Sequence, residues 1–117
     1  MISSAFNTSA SGILAAATKL QANANNVANA NTNGYQTQRV DLVESPAGVE
    51  ARTALVNAPN RADAAANSNQ ISPSPPSDVN LADEMVSMVA TKNFYQANMQ
   101  VLKAADDMIG TLLDTDA

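Results

Sequence analysis

The hydrophobic positions of this chain cluster at its two ends and recur there at intervals of four and three. From Val79 to Leu113 there is no proline and only one glycine, Gly110, near the end. Leu81, Met85, Met88, Tyr95, Met99, Leu102, Ile109 and Leu113 fall on one narrow stripe, interrupted at Lys92 and Asp106. That spacing predicts a helix over 80–114 with a coiled-coil-type seam. Such a helix is roughly 50 Å long at 1.5 Å per residue, so its seam needs an equally long partner. Asn80 is a good cap, and Asp83 three residues on completes a capping-box-like pattern. Asp83 and Glu84 also suit the positive end of the helix dipole.

The first residues supply a second pattern of the same period. Phe6, Ala10, Ile13, Ala17, Leu20, Ala24 and Val27 alternate large and small side chains at spacings of four and three. They predict a helix over 2–30, and alanines on such a seam let two backbones approach closely. Gly12 lies inside it at a cost of up to ~1 kcal/mol relative to alanine, for which a close helix neighbour is one reason. The helix should end in the asparagine-rich stretch Asn25 to Gln36, where Asn33-Gly34 is a turn dipeptide.

Between the helices the periodicity fails. Residues 31–44 carry the Asn/Gly motif and a segment, Tyr35 to Glu44, that reads as extended. Residues 45–77 hold all five prolines among alanine, serine and asparagine, and read as an irregular loop ending in a polyproline-like linker. The expected fold is therefore mainly α. Long N- and C-terminal helices pair as an antiparallel coiled-coil-like hairpin around a Pro/Ala/Asn-rich middle, in one 117-residue unit. Lys92 and Asp106, the breaks in the seam, are the positions where contacts between subunits are expected to set register. Val86, Val89, Phe94, Val101, Met108 and Leu112 lie beside the seam and remain apolar, which predicts further partners, most simply other copies or related chains.

Composition sharpens this picture by exclusion. Aromatic residues make up 3% of the chain and much of its 45% hydrophobic content is alanine, so a compact monomeric core would be weak. The net charge of -5 and the scattered lysines and arginines argue against nucleic acid and against anionic membranes. Histidine and cysteine are both absent, which removes the common nucleophile-base pairs, disulfides and most transition-metal sites. The acid pairs Asp83-Glu84 and Asp106-Asp107 are neighbours on a helix and point about 100° apart, so they do not converge on a substrate. No cofactor and no enzymatic activity are expected. No apolar run reaches the ~20 residues that span a bilayer, and the first residues lack the basic region of a secretory signal.

The remaining candidates are residues for assembly. Asn25, Asn26, Asn29 and Asn31 belong to a cluster of six asparagines between Asn23 and Asn33. That is too many for a lone cap, and the cluster reads as an ordered junction rather than a frayed end. Met85 and Met88 fill a core or adapt to non-identical neighbours. Tyr95 on the seam needs a polar partner if buried, Gln96 and Asn98 can bond neighbouring chains, and Leu102 and Ile109 complete the apolar stripe.

These same residues resemble a known family. The stretch ANNVANANTNGYQTQR, after an alanine-rich amphipathic helix, resembles the signature of bacterial flagellar basal-body rod proteins, roughly N-N-[LV]-A-N-x-N-T-x-G-[YF]. Asn25, Asn26, Val27, Ala28, Asn29, Asn31, Thr32, Gly34 and Tyr35 match, whereas Gln36 replaces the usual Lys or Arg. At the other end Glu84-Met85-Val86, Tyr95-Gln96-Ala97-Asn98 and Val101-Leu102 look like the family's closing helix. The resemblance implies a structural subunit of the axial structure, whose terminal helices pack as a coiled coil in its inner tube. It implies other copies and related rod proteins as partners, together with the flagellar type III export apparatus, and a periplasmic basal-body location reached without a cleaved signal. The short middle is similar to that of proximal rod subunits. The alternative is a helical adaptor or export-related binding protein that docks one partner.

Overall fold

The computed structural model describes residues 2–56 and 75–115. The chain runs α1 (Ile2–Ala28), β1 (Gln38–Ser45), β2 (Gly48–Leu55) and α2 (Leu81–Thr115). Both expected helices are present, and they pack against each other along their length. Pairs such as Asn26 with Glu84, Asn23 with Ser87 and Gly12 with Asn98 show that they run antiparallel. The fold is thus the mainly α hairpin anticipated from the periodicity, with a small sheet added.

Helix α2 begins as its sequence suggests. The Asn80 side-chain oxygen accepts the Ala82 N–H at 3.1 Å, and Asp83 and Glu84 fill the first turn. Helix α1 ends at Ala28, and the chain then turns tightly through the asparagine stretch. Gly34 takes φ 76 in a four-residue turn closed by the Tyr35 N–H on the Thr32 carbonyl, a position where residues with a Cβ are strained.

The extended segment after Tyr35 is β1, but its partner was not foreseen. Residues 48–55, expected to be irregular, pair antiparallel with it, from Gln38 opposite Leu55 to Ser45 opposite Gly48. Pro46 and Ala47 make the turn, where the fixed φ of proline suits the first turn position. Val49, Ala51, Thr53 and Leu55 do alternate with Glu50 and Arg52. Small inward residues hide that alternation from a hydrophobicity reading. The sheet lies on α1. The Val49 N–H donates to Ser11 Oγ at 3.0 Å, and a Cβ at Gly48 (φ 126) would run into the same Ser11 side chain. Residues 57–74 of the expected loop lie outside the described residues.

The interior is thin. Among the described residues the buried apolar side chains are four alanines (Ala15, Ala16, Ala22 and Ala105) and Val40. Each alanine removes little apolar area from water at about 25 cal/mol per Å². Large apolar side chains stay outside: Leu14 and Val86 are each 70% exposed and Met85 60%.

Candidate assembly interface

The most completely engaged side chain of the molecule is Asn26, in the last turn of α1. It is fully buried, and its amide makes four hydrogen bonds. Nδ2 donates to the Gln38 carbonyl at 2.8 Å and to Glu84 Oε1 at 2.9 Å. Oδ1 accepts from the Gln38 N–H at 2.8 Å and from the Tyr35 hydroxyl at 3.0 Å. Both amide protons and both lone pairs are used, which is the full capacity of an asparagine. Toward Gln38 the side chain acts as a short strand, bonding both backbone groups at the start of β1. One residue therefore joins the end of α1, the turn, the sheet and the head of α2.

Neighbouring bonds close the same region. Asn29 donates to the Asn25 carbonyl and accepts from the Thr32 hydroxyl, which holds the turn in shape. The Thr37 N–H and hydroxyl both donate to Asp78 Oδ1, at 2.7 and 2.6 Å. The Gly34 N–H donates to the Pro75 carbonyl at 2.7 Å. The segment leading into α2 is thus stitched to the asparagine turn. Tyr35 is half-buried, and burial raises its phenol pKa, helped by the carboxylates of Glu84 and Asp78. The phenol is accordingly held as a neutral donor.

From this junction the helix pair extends along a seam of small and polar residues. On α1 its buried members are Ser9, Gly12, Ala16, Asn23 and Asn26, and on α2 they are Glu84, Thr91 and Ala105. Half-buried Met88, Tyr95, Asn98 and Leu102 fill the intervals on α2. The α2 members recur at alternating spacings of four and three, so the coiled-coil period holds. Its phase differs from expectation. The larger residues Met85, Met99 and Ile109 lie off the contact, and Lys92 and Asp106, expected to meet neighbouring subunits, are exposed. On α1 the contact runs one residue before the apolar stripe, and Phe6, Ala17 and Ala24 are exposed.

The reason is close approach. A Cβ at Gly12 would lie 2.9 Å from Asn98 Oδ1, so no larger residue fits there without displacement. The polar members remain satisfied. Asn23 bonds the Ser87 hydroxyl at 2.9 Å, Thr91 Oγ1 donates to the Ser87 carbonyl, and Asn98 Nδ2 donates to the Phe94 carbonyl. Among the described residues no buried side-chain nitrogen or oxygen lacks a partner.

The sequence-derived candidates thus divide. Asn26, Asn29, Gly34 and Tyr35 come together at the junction, while Asn25 and Asn31 are exposed beside it. Met88, Tyr95, Asn98 and Leu102 border the helix contact, whereas Met85, Gln96 and Ile109 face outward. Glu84, Thr37 and Asp78 were missed as junction members. Glu84 carried a signal, because a carboxylate in a first helix turn opposite an asparagine cluster is a natural acceptor. Thr37 and Asp78 carried none.

The junction's polar groups are consumed in structural bonds, and no acid-base or nucleophile constellation is exposed there. Among the described residues no group of three or more Asp and Glu is placed to hold a metal ion, and no helix is long and apolar enough to cross a membrane. What the surface offers instead is apolar area along two long helices.

Residues 77–115, the C-terminal helix with its short lead-in, match the family model described as flagellar basal body rod FlgEFG protein C-terminal. No curated protein matches the chain.

Proposed function

We propose that this protein is a structural subunit of the proximal flagellar rod, a reading supported by the match of residues 77–115 to the flagellar basal body rod C-terminal family model. In this reading it polymerises through its terminal helices, with itself and with related rod proteins, and forms part of the axial drive shaft for motility. It reaches the periplasmic rod through the flagellar type III export apparatus.

One observation carries the reading. The fully buried part of the helix contact is mostly alanine, glycine, serine and asparagine, and most of the large apolar residues stay exposed. A chain built to be stable alone does the reverse. Exposed apolar surface along two roughly parallel-sided helices is what repeated lateral contacts consume. Among the described residues a two-stranded sheet is what stands between the helices, and that small insertion suits a proximal position.

The test is circular dichroism across a concentration series. The dilute chain should be poorly helical and gain helix as it assembles, since a hairpin with so little burial does not offset its chain entropy. A cooperative melt of a monomer, independent of concentration, overturns the reading. A one-to-one soluble complex with an export component would instead identify the helical adaptor.

A further inference from the structure

Asn33-Gly34 is the only Asn-Gly pair in the sequence, and every other asparagine precedes a residue with a side chain. Glycine leaves its own nitrogen unobstructed, so this pair is the chain's best placed for spontaneous deamidation. In that reaction the Gly34 nitrogen gives up its proton and bonds to Asn33 Cγ. The Cγ–Nδ2 bond breaks, and Nδ2 takes up a proton and leaves as ammonia. Water then opens the cyclic imide, at Cγ to give aspartate or at the main-chain carbonyl carbon to give isoaspartate. Asn33 and Gly34 are both exposed, so burial keeps neither water nor base away from them.

The folded junction opposes the first step in two ways. The Gly34 N–H donates to the Pro75 carbonyl at 2.7 Å, so the nitrogen that must lose its proton is held as a donor. The turn also points that nitrogen away from the side chain. Its closing bond runs from the Tyr35 N–H to the Thr32 carbonyl at 3.1 Å, and φ is positive at Gly34 but not at Asn33. A hydrogen-bonded turn with that pattern is type II, whose second residue, here Asn33, has ψ of about +120°. Ring closure needs the Gly34 nitrogen rotated round to the Cβ side of the Asn33 Cα. The turn must open before that rotation can occur.

We propose that Asn33 is a deamidation site which the folded junction protects and the open chain exposes, a one-way chemical mark on copies that stay unfolded. The proposal stands apart from the subunit reading. What holds the protecting bond in place is the segment before α2, anchored where the Thr37 N–H and hydroxyl both donate to Asp78 Oδ1. The reaction is irreversible in its consequence. Isoaspartate adds a methylene to the main chain between residues 33 and 34, inside the turn that sets the Tyr35 hydroxyl on Asn26 Oδ1. A chain that has reacted in this way no longer closes the junction.

The test ages the full chain at mildly alkaline pH, once at a concentration that gives its full helical signal and once in guanidinium chloride. Peptide mass spectrometry locates each exchange of NH2 for OH, and enzymatic methylation counts isoaspartate. In denaturant Asn33 should react ahead of every other asparagine, and at several-fold its rate in the folded chain. Asp78→Ala leaves the Asn-Gly pair intact and removes its anchor. Under folding conditions it should react faster than the parent, and at the denatured rate if it has also lost its helical signal. Asn33→Ala should remove most of the isoaspartate. After ageing in denaturant and refolding, the helical fraction should be depleted in isoaspartate at this position. Equal Asn33 rates in the folded and denatured chain overturn the proposal, as does another asparagine reacting first. An Asp78→Ala chain that reacts at the parent's rate overturns the part given to the Pro75 bond.

Discussion

Asn26 Nδ2 donates to Glu84 Oε1 over 2.9 Å, and that bond ties the last turn of α1 to the first turn of α2. Both residues are buried, and the same amide holds the backbone of Gln38. The antiparallel register of the helices is thus fixed at one end by a saturated side chain.

The first prediction follows from that bond. Asn26→Asp replaces the donor with an oxygen facing Glu84 Oε1 and the Gln38 carbonyl. Buried groups left unpaired, with like charges in contact, should cost about 3 kcal/mol or more. Urea unfolding of the assembled protein, followed by circular dichroism at fixed concentration, measures the loss. Adding Glu84→Gln should restore about 1 kcal/mol or more, because the glutamine amide can donate to the new carboxylate. No recovery in the double variant would mean that the 2.9 Å bond is not what the substitution broke.

Gly12 and Asn98 make a second pair whose coupling has a sign. Gly12→Ala gains up to ~1 kcal/mol of helix propensity. It also puts a Cβ 2.9 Å from Asn98 Oδ1, and the amide is held in place by its bond to the Phe94 carbonyl. The substitution should therefore destabilise the helix pair in the parent chain. In an Asn98→Ala background the obstacle is gone, and the same substitution should stabilise. Equal effects in the two backgrounds, read from the same unfolding experiment, would remove the close approach from the account.

Tyr35 gives a pH dependence. Its folded pKa is raised above the ordinary 10.0 by burial first and by Glu84 and Asp78 next. The unfolded chain therefore loses the phenolic proton before the folded one does. Stability from this group is fully present below pH 10 and falls as pH rises through the folded value. Tyr35→Phe should lose the bond to Asn26 Oδ1, about 1 kcal/mol at neutral pH. It should also flatten the alkaline decline. An unchanged decline in Tyr35→Phe would assign it to other groups.

The period of both helices was legible in the sequence, and their phase was not. Hydrophobicity selects Phe6, Met85 and Met99, but a seam at close distance selects what is small or can bond its own helix. Ser9, Ala16 and Asn23 recur at sevens on α1, and Glu84, Thr91, Asn98 and Ala105 do so on α2. That repeat is visible once size is weighed above polarity. The asparagine cluster was readable as a junction because too many asparagines stood together for a cap. Which of them would be buried was not, since Asn26 is singled out by Gln38, Tyr35 and Glu84 arriving from distant positions. The second strand stayed hidden because Ala51 and Thr53 offer its inward face little hydrophobicity.

Leu102 lies where the helix contact meets an open groove. It is half-buried and shares the groove with Phe6 and Met99. Leu102→Asp puts an unpaired charge between the two helices of one chain and on the surface offered to a neighbour. Stranding a carboxylate in that setting costs several kcal/mol unless it is neutralised. Cells carrying it as their sole copy should fail to assemble the structure and should not swim. Leu102→Met conserves volume and polarity, costs less than ~1.5 kcal/mol, and should leave motility intact. Swimming by the Asp variant would show that neither the seam nor the groove depends on this position.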